Sequence, residues 1–232
     1  MLTFIEGFSF AMKTATDGST GPLSTVPVGI VLAGGASSRM GRDKTRLALS
    51  DGTLPELAAR RLAAVCAEVA VADGGRGLLP GLPSLADGAG RGPAAGILGA
   101  AAAWPGRPLL VLACDLPRVP AALLGELARL TRADWTVPRG PAGLEPLAAL
   151  YGPAALAALA RRVERGLLAL HRLAEEPLAV RVLEGEELAR FGDPAAIFLN
   201  LNTPEDWERY VATSASEEPP QASQGQISRR NS

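Results

Sequence analysis

The stretch that decides the fold is "VPVGIVLAGGASSRMGRDK", residues 26–44. An apolar, β-branched run over 26–33 ends at two glycines, turns through two serines and closes on Arg39, Arg42, Asp43 and Lys44. A continuous apolar run of this length reads as a strand buried on both faces. Gly34 and Gly35 carry no Cβ, so their backbone N–H groups can come close to a ligand. With cations following, the strand end holds the components of an anion site. Two familiar phosphate motifs are excluded. Gly34 and Gly35 are adjacent and Gly41 lies six residues beyond, unlike the dinucleotide fingerprint, and Lys44 does not follow a glycine as in a Walker A loop. The residues alone leave two readings open. One is a phosphate cradle of Gly34 and Gly35 amides with Arg39 and Lys44 as counter-charges; the other is a strand-to-helix turn with solvated charges.

Outward from this stretch the pattern alternates. Apolar spacing predicts a helix over 54–66, with Arg60 and Arg61 outward, and a strand over 68–72. An Ala-rich helix is expected over 93–103, a buried strand at "PLLVLACDLP" (108–117) and a helix over 121–130. Strands follow at 134–138 and 147–151, helices at 153–164 and 166–174, strands at 178–183 and 196–201, and a helix opening at Pro204. Alternation of strand and helix calls for an α/β fold, a mainly parallel sheet covered on both faces. Ligands in such sheets bind at the carboxyl ends of the strands. The glycine stretch and "ACDLP" therefore share one rim.

Asp115 emerges from a buried strand, where a carboxylate is costly unless paired or metal-bound. It reads as a Mg²⁺ ligand facing a polyphosphate, or as an N-cap for the segment after Pro117 or Pro120. In "NLNTPEDW" (200–207), capping accounts for Thr203 to Asp206. Asn200 and Asn202 would share one face of the expected strand, where they either line the site or simply precede the cap. Tyr151 and Glu145 are further candidates, and burial explains Tyr151 equally well. His171 on an Ala/Leu-rich segment reads as structural.

Bulk composition narrows the class. With 232 residues there is room for a sizeable core, built mainly from Leu, Ala and Val since hydrophobics are 47% and aromatics 4%. A net charge of −1 argues against bulk nucleic acid or an acidic membrane surface as main partner. No apolar stretch approaches the roughly 20 residues of a spanning helix. The N-terminus lacks the order of a secretion signal, so a cytoplasmic location is expected. Cys66 and Cys114 form neither a disulfide framework nor metal-ligand spacing. Residues 1–25 read as a poorly ordered extension, 26–212 as the domain and 213–232 as a disordered polar tail.

The segment "LAGGASSRMGRDK" resembles the signature of the nucleotidyltransferases related to molybdenum cofactor guanylyltransferase. "GRGPAAG" (90–96), "CDLP" (114–117), "EPLAALY" (145–151) and "NLNTPEDW" continue the pattern in the family's order, although the family usually shows Leu where Ala94 stands. "ADGGR" (72–76) also lacks the asparagine that some members carry near the nucleotide. The resemblance implies a three-layer α/β/α, Rossmann-like nucleotidyltransferase fold with a mainly parallel, mixed sheet. It implies transfer of GMP from GTP to the terminal phosphate of molybdopterin, with Mg²⁺ as cofactor, by a monomer whose partners include proteins of molybdenum insertion and molybdoenzyme maturation. Arg39, Lys44 and Asp115 would be catalytic, with Asp115 the metal ligand. Leu32, Ala33, Gly34, Gly35, Lys44, Asp87, Asp115, Asn200 and Asn202 would hold the nucleotide, although Asp87 also reads as a turn residue in "ADGAG". Transfer of CMP or another nucleotide, or a non-catalytic binding module, are the rival readings.

Overall fold

The apolar runs of the sequence become the interior strands of a single large sheet. The computed structural model describes residues 26–34, 48–49, 52–201 and 203–214. Along the chain run β1 (Val28–Leu32), β2 (Ala48–Leu49), β3 (Gly52–Thr53), α1 (Leu54–Ala63), β4 (Val69–Ala72), β5 (Ser84–Leu85) and α2 (Pro93–Ala103). There follow β6 (Leu109–Ala113), α3 (Ala121–Arg129), β7 (Trp135–Gly140), β8 (Gly143–Leu144), β9 (Ala148–Tyr151) and α4 (Pro153–Glu164). A 3-10 helix (Leu170–Glu175), β10 (Val180–Leu183), α5 (Gly185–Ala189), α6 (Pro194–Ile197) and α7 (Pro204–Ser214) complete it.

The sheet runs β10-β7-β9-β6-β1-β4-β5, with β8 attached to β7. All pairings along that order are parallel except those of β9, which is antiparallel to both β6 and β7. The expectation of a mainly parallel, mixed sheet holds. A Cβ on Gly29 would meet Leu62 of α1, whereas Leu32 faces Gly96 of α2. An odd spacing along a strand puts these contacts on opposite faces. Accordingly α1 packs with α3 on one side and α2 with α4 on the other, giving three layers. The core strands β1, β4, β6 and β9 are buried throughout, consistent with their unbroken apolar character.

Several expectations are corrected. Residues 196–201 do not form a strand. Asp193 caps Ala195 N–H at 3.1 Å and Pro194 takes the first helical position, so the segment folds as α6 and then runs on without sheet pairing. Hence Asn200 does not sit on a strand face. The expected helix 166–174 shortens to the 3-10 turn, because Gly166 at φ 75° terminates α4. There the Gly166 and Leu167 amides bond back to Val163 and Arg162 carbonyls. Strand β6 stops at Ala113, which leaves Asp115 in the following loop. Arg61 is not simply outward: its guanidinium donates to the carbonyls of Pro117 and Val119, the latter at 2.8 Å. Tyr151 is fully buried, opposite Leu109 at the amino end of β6, and its hydroxyl donates to Pro146 O at 2.8 Å. It is a core residue. His171 is exposed and packs into no core. The expected extension 1–25 and all but residues 213 and 214 of the expected tail lie outside the described residues.

Two glycines of the helices make a controlled comparison. A Cβ on Gly99 of α2 would lie 2.2 Å from Ala86 O, a backbone atom that cannot swing away. On Gly125 of α3 the nearest atom is a Val65 methyl at 3.5 Å, ordinary contact. Gly99→Ala is expected to cost about 2–3 kcal/mol through overpacking. Gly125→Ala should raise stability by up to about 1 kcal/mol through helix propensity. Urea melts of both variants check the pair, and equal effects would contradict the close approach at Gly99.

Candidate functional site

The parallel pairing of β1 and β6 runs past the ends of both strands. Leu32 pairs with Ala113, and the Cys114 amide then donates to Leu32 O at 3.1 Å. On the other flank the Ala33 amide donates to Ala72 O at 3.1 Å. The start of the glycine stretch, Ala33 and Gly34, is thereby held between the end of β4 and the loop that carries Asp115. Gly34 is exposed at that rim, and Asp115 is half-buried. Arg61, gripping the carbonyls of Pro117 and Val119, fixes the loop just beyond Asp115.

The chain returns to the same place after α6. The Leu201 amide donates to Asp115 O at 3.0 Å, which seats Asn200 beside Asp115. Asn200 Oδ1 is buried and has no hydrogen-bond partner among the described residues. Helix α7 secures this return. Tyr210 packs with Leu54 and Leu201, and Thr203 and Asp206 cap its start reciprocally, Asp206 N–H to Thr203 Oγ1 at 3.1 Å and Thr203 N–H to Asp206 Oδ2 at 2.9 Å. Of the residues expected at the site, Leu32, Ala33, Gly34, Asp115 and Asn200 therefore share one rim. Gly35, Arg39, Lys44 and Asn202 lie outside the described residues, as does Arg42.

Asp87 joins them from a second direction. Its carboxylate oxygens stand 3.7 Å from where a Cβ on Gly74 would be and 4.0 Å from one on Gly96. That same Gly96 position lies 3.2 Å from both Leu32 Cδ2 and Ala72 Cβ. The carboxylate thus hangs over the ends of β1 and β4, in space that two glycines leave open. No hydrogen bond of the described residues ties it into a turn.

Sequence reading missed Asp73. This carboxylate is 1% exposed and accepts from Leu78 N–H at 2.8 Å, Ser84 Oγ–H at 2.6 Å, Gly75 N–H at 3.1 Å and Arg76 N–H at 3.2 Å. Burial raises its pKa, but the four hydrogen bonds outweigh burial and hold it below the ordinary 3.8. The turn it organises aims Arg76 back at the rim, where the guanidinium donates to Asp73 O and to Ala33 O. Arg76 is a further cation beside the glycine stretch. The apolar run ending in Asp-Gly-Gly signalled a turn, but the partner Ser84 lies eleven residues on and could not be read locally. Glu145 lies near the β6 end of the rim, since Leu147 O accepts from Ala113 N–H, and burial raises its carboxyl pKa.

Chemically the rim offers backbone amides, a cation at Arg76 and hard oxygen donors at Asp115 and Asn200. Among the described residues no three His, Cys, Asp or Glu side chains converge as a complete metal cage. A carboxylate and an amide oxygen suit a divalent cation whose remaining ligands are substrate phosphates and water. Cys66 is buried, and burial lifts its thiol to about 11, so it is no nucleophile.

With this geometry in place, the relatives are informative. Residues 29–182 match the family model of the MobA-like NTP transferase domain. A probable molybdenum cofactor guanylyltransferase of Opitutus terrae is 39% identical over 194 residues, 78% of this chain and 93% of the relative. One of the same name from Chloroflexus aggregans is 36% identical over 203 residues, 80% of this chain and 93% of the relative. The crystal structure of molybdopterin-guanine dinucleotide biosynthesis protein A from Archaeoglobus fulgidus superposes with a TM-score of 0.70 at 25% identity, covering 82% of this chain and 99% of that chain.

The Asp73 turn yields a pH-dependent expectation. A depressed folded-state pKa means the carboxylate stabilises the fold above the unfolded value of about 3.9, and that the contribution is lost as pH falls below it. Asp73→Asn should cost about 2 kcal/mol at pH 7, the scale of a charged hydrogen bond lost inside the protein. The gap to wild type should narrow as pH drops through about 4 toward 2. Denaturant titrations at several pH values measure it, and a gap independent of pH would remove the carboxylate's charge from the explanation.

Proposed function

Since the chain belongs to the MobA-like NTP transferase family, we propose that it transfers GMP from GTP to the terminal phosphate of molybdopterin in the cytoplasm, with Mg²⁺ as cofactor. An oxygen of the acceptor phosphate forms a bond to the α-phosphorus of GTP, the bond to the β-phosphate bridging oxygen breaks, and pyrophosphate leaves with that electron pair. The observation that carries this reading is the placement of Asp115 one strand away from Ala33 and Gly34, tied by the Cys114–Leu32 hydrogen bond.

Little covalent chemistry falls to the protein in such a transfer; positioning and charge stabilisation dominate. The backbone of Leu32, Ala33, Gly34 and Gly35 would approach the nucleotide closely, because Gly34 and Gly35 have no Cβ. Asp87, over Leu32 and between two glycines, would accept hydrogen bonds from the nucleoside. Arg39 and Lys44 would offset charge on the phosphates, Arg39 as a two-pronged donor and Lys44 as a point charge near the reacting phosphoryl. Asp115, with Asn200 beside it, would hold the Mg²⁺, and Asn202 would line the nucleotide site. Bound there, the ion would neutralise charge shared between the phosphates. No helix of the described residues is long and apolar enough to cross a membrane.

Incubation with Mg²⁺, molybdopterin and each nucleoside triphosphate in turn, followed by pyrophosphate release, tests the reading. GTP should support turnover, and a preference for CTP would make the chain a cytidylyltransferase. Asp115→Asn should abolish turnover; normal turnover would remove Asp115 from the centre. For the glycine stretch, Lys44→Ala should lower turnover on the order of a hundredfold, with a smaller effect on GTP binding. Arg42→Ala should be nearly silent. The reverse ranking of those two variants would overturn the assignment of the loop.

A further inference from the structure

Past the end of β1 the main chain keeps the alternation of a strand. Leu32 O accepts from the Cys114 amide on the β6 side, and the Ala33 N–H then donates to Ala72 O on the β4 side. Arg76 Nη2 takes Ala33 O from the turn that follows β4, so both polar groups of Ala33 are engaged on that side. A planar trans peptide holds its N–H opposite its C=O. The Gly34 N–H is therefore turned away from β4, toward the loop that carries Asp115. Among the described residues it meets no hydrogen-bond partner, and Gly34 is exposed. Packing against those residues does not demand a glycine either, since a Cβ would touch only Ala72 O at an ordinary 3.7 Å.

The guanidinium that fixes this peptide is itself held. Asp73 Oδ1 accepts from the Arg76 backbone N–H at 3.2 Å, and Arg76 Nε donates to Asp73 O at 2.7 Å. Yet no carboxylate among the described residues pairs with the guanidinium, because the Asp73 oxygens are taken by three backbone amides and the Ser84 hydroxyl. Arg76 is exposed, and ordering such a side chain costs rotamer entropy. Two neutral carbonyls leave its charge unpaired. That arrangement becomes favourable once an anion lies nearby.

We propose that Arg76 is a positioning residue of the phosphate site, holding the Ala33–Gly34 peptide so that the Gly34 N–H faces a polyphosphate chain bound beside Asp115. The inference rests on the guanylyl-transfer reading and deepens it. A cationic donor on Ala33 O also polarises the peptide, which makes the Gly34 N–H a stronger donor. Lysine would keep the charge but not the planar fork that spans Asp73 O and Ala33 O.

Arg76→Ala and Arg76→Lys both retain the backbone N–H that Asp73 binds, so the turn survives in either variant. The probe is inorganic triphosphate with Mg²⁺, followed by calorimetry. Both variants should bind it about tenfold or more weakly, the scale of one hydrogen bond lost to a charged group. GTP binding should weaken by the same factor, while urea melts stay near wild type. In isotope-labelled protein, the Gly34 amide proton should move downfield when triphosphate binds to wild type and stay in place in both variants. Full triphosphate binding by Arg76→Lys overturns the proposal, because charge alone would then suffice. So does a loss confined to GTP, which would assign Arg76 to the nucleoside, or an unaltered Gly34 shift in the variants. The reading of the reaction fails separately. If wild type binds triphosphate at Gly34 but releases no pyrophosphate from GTP and molybdopterin, the transfer is wrong and the role of Arg76 stands.

Discussion

The parallel pairing of β1 with β6, prolonged by the hydrogen bond from Cys114 to Leu32 O, is the constraint on which the rest of this rim depends. Neighbouring strands stand about 4.8 Å apart, so the register alone sets the glycine stretch and Asp115 side by side. Each further group is hung from that pair by backbone bonds. The Ala33 amide reaches β4 and so brings in the Asp73 turn; the Leu201 amide reaches Asp115 O and brings in Asn200. Side chains with chemical potential are thus placed by main-chain geometry, which needs no particular side chain to hold and varies little under thermal motion.

The second constraint is volume. Helix α2 is mostly Ala and Gly, and at Gly99 and Gly88 its backbone comes so near residues 86–88 that neither position has room for a methyl group. The Gly88 amide bonds to Ala95 O across this contact at 2.8 Å. Tight approach is what carries Asp87 in over Leu32 and Ala72, since a bulkier α2 would push the segment outward. An Ala-rich helix of this kind gains little from its side chains; its stability comes from the fit, as tertiary packing commonly outweighs propensity.

Much of this was legible in the sequence for a physical reason. Strands buried on both faces must be apolar at every position, so β1, β4, β6 and β9 announced themselves, and alternation with helices gave the parallel sheet. Periodicity failed where burial was brief. β5 has only Ser84 and Leu85 to show, inside a Gly- and Pro-rich stretch. "AIFLNL" carried a strand-like composition, yet the Asp193–Pro194 cap preceding it decided for a helix. The site divided the same way. Asp115 could be found because a charge at the end of an apolar run is locally anomalous. Asp73 looked like an ordinary turn residue, and Arg76 an ordinary surface cation, because what they do depends on Ser84 and Ala33, far along the chain. Asn200 reached its position by a route the sequence did not show, backbone pairing to Asp115 in place of strand alternation.

The reversal of β9 has the widest consequence. Were β9 parallel like the others, α4 would begin at the rim and end at the far side, and its basic C-terminal turn would be remote from Asp87. Because β9 is antiparallel, the helix after it points the other way, and Arg162 to Leu168 are delivered to the rim. A sheet of parallel strands supplies ligand-binding loops at the carboxyl edge of its strands. Reversing one strand adds a helix terminus to that edge, so a second ligand can be met there without a second domain. Joining two substrates through a phosphate requires that both be held at one place, and the inversion of β9 brings a further helix terminus to the edge where Gly34 and Asp115 lie.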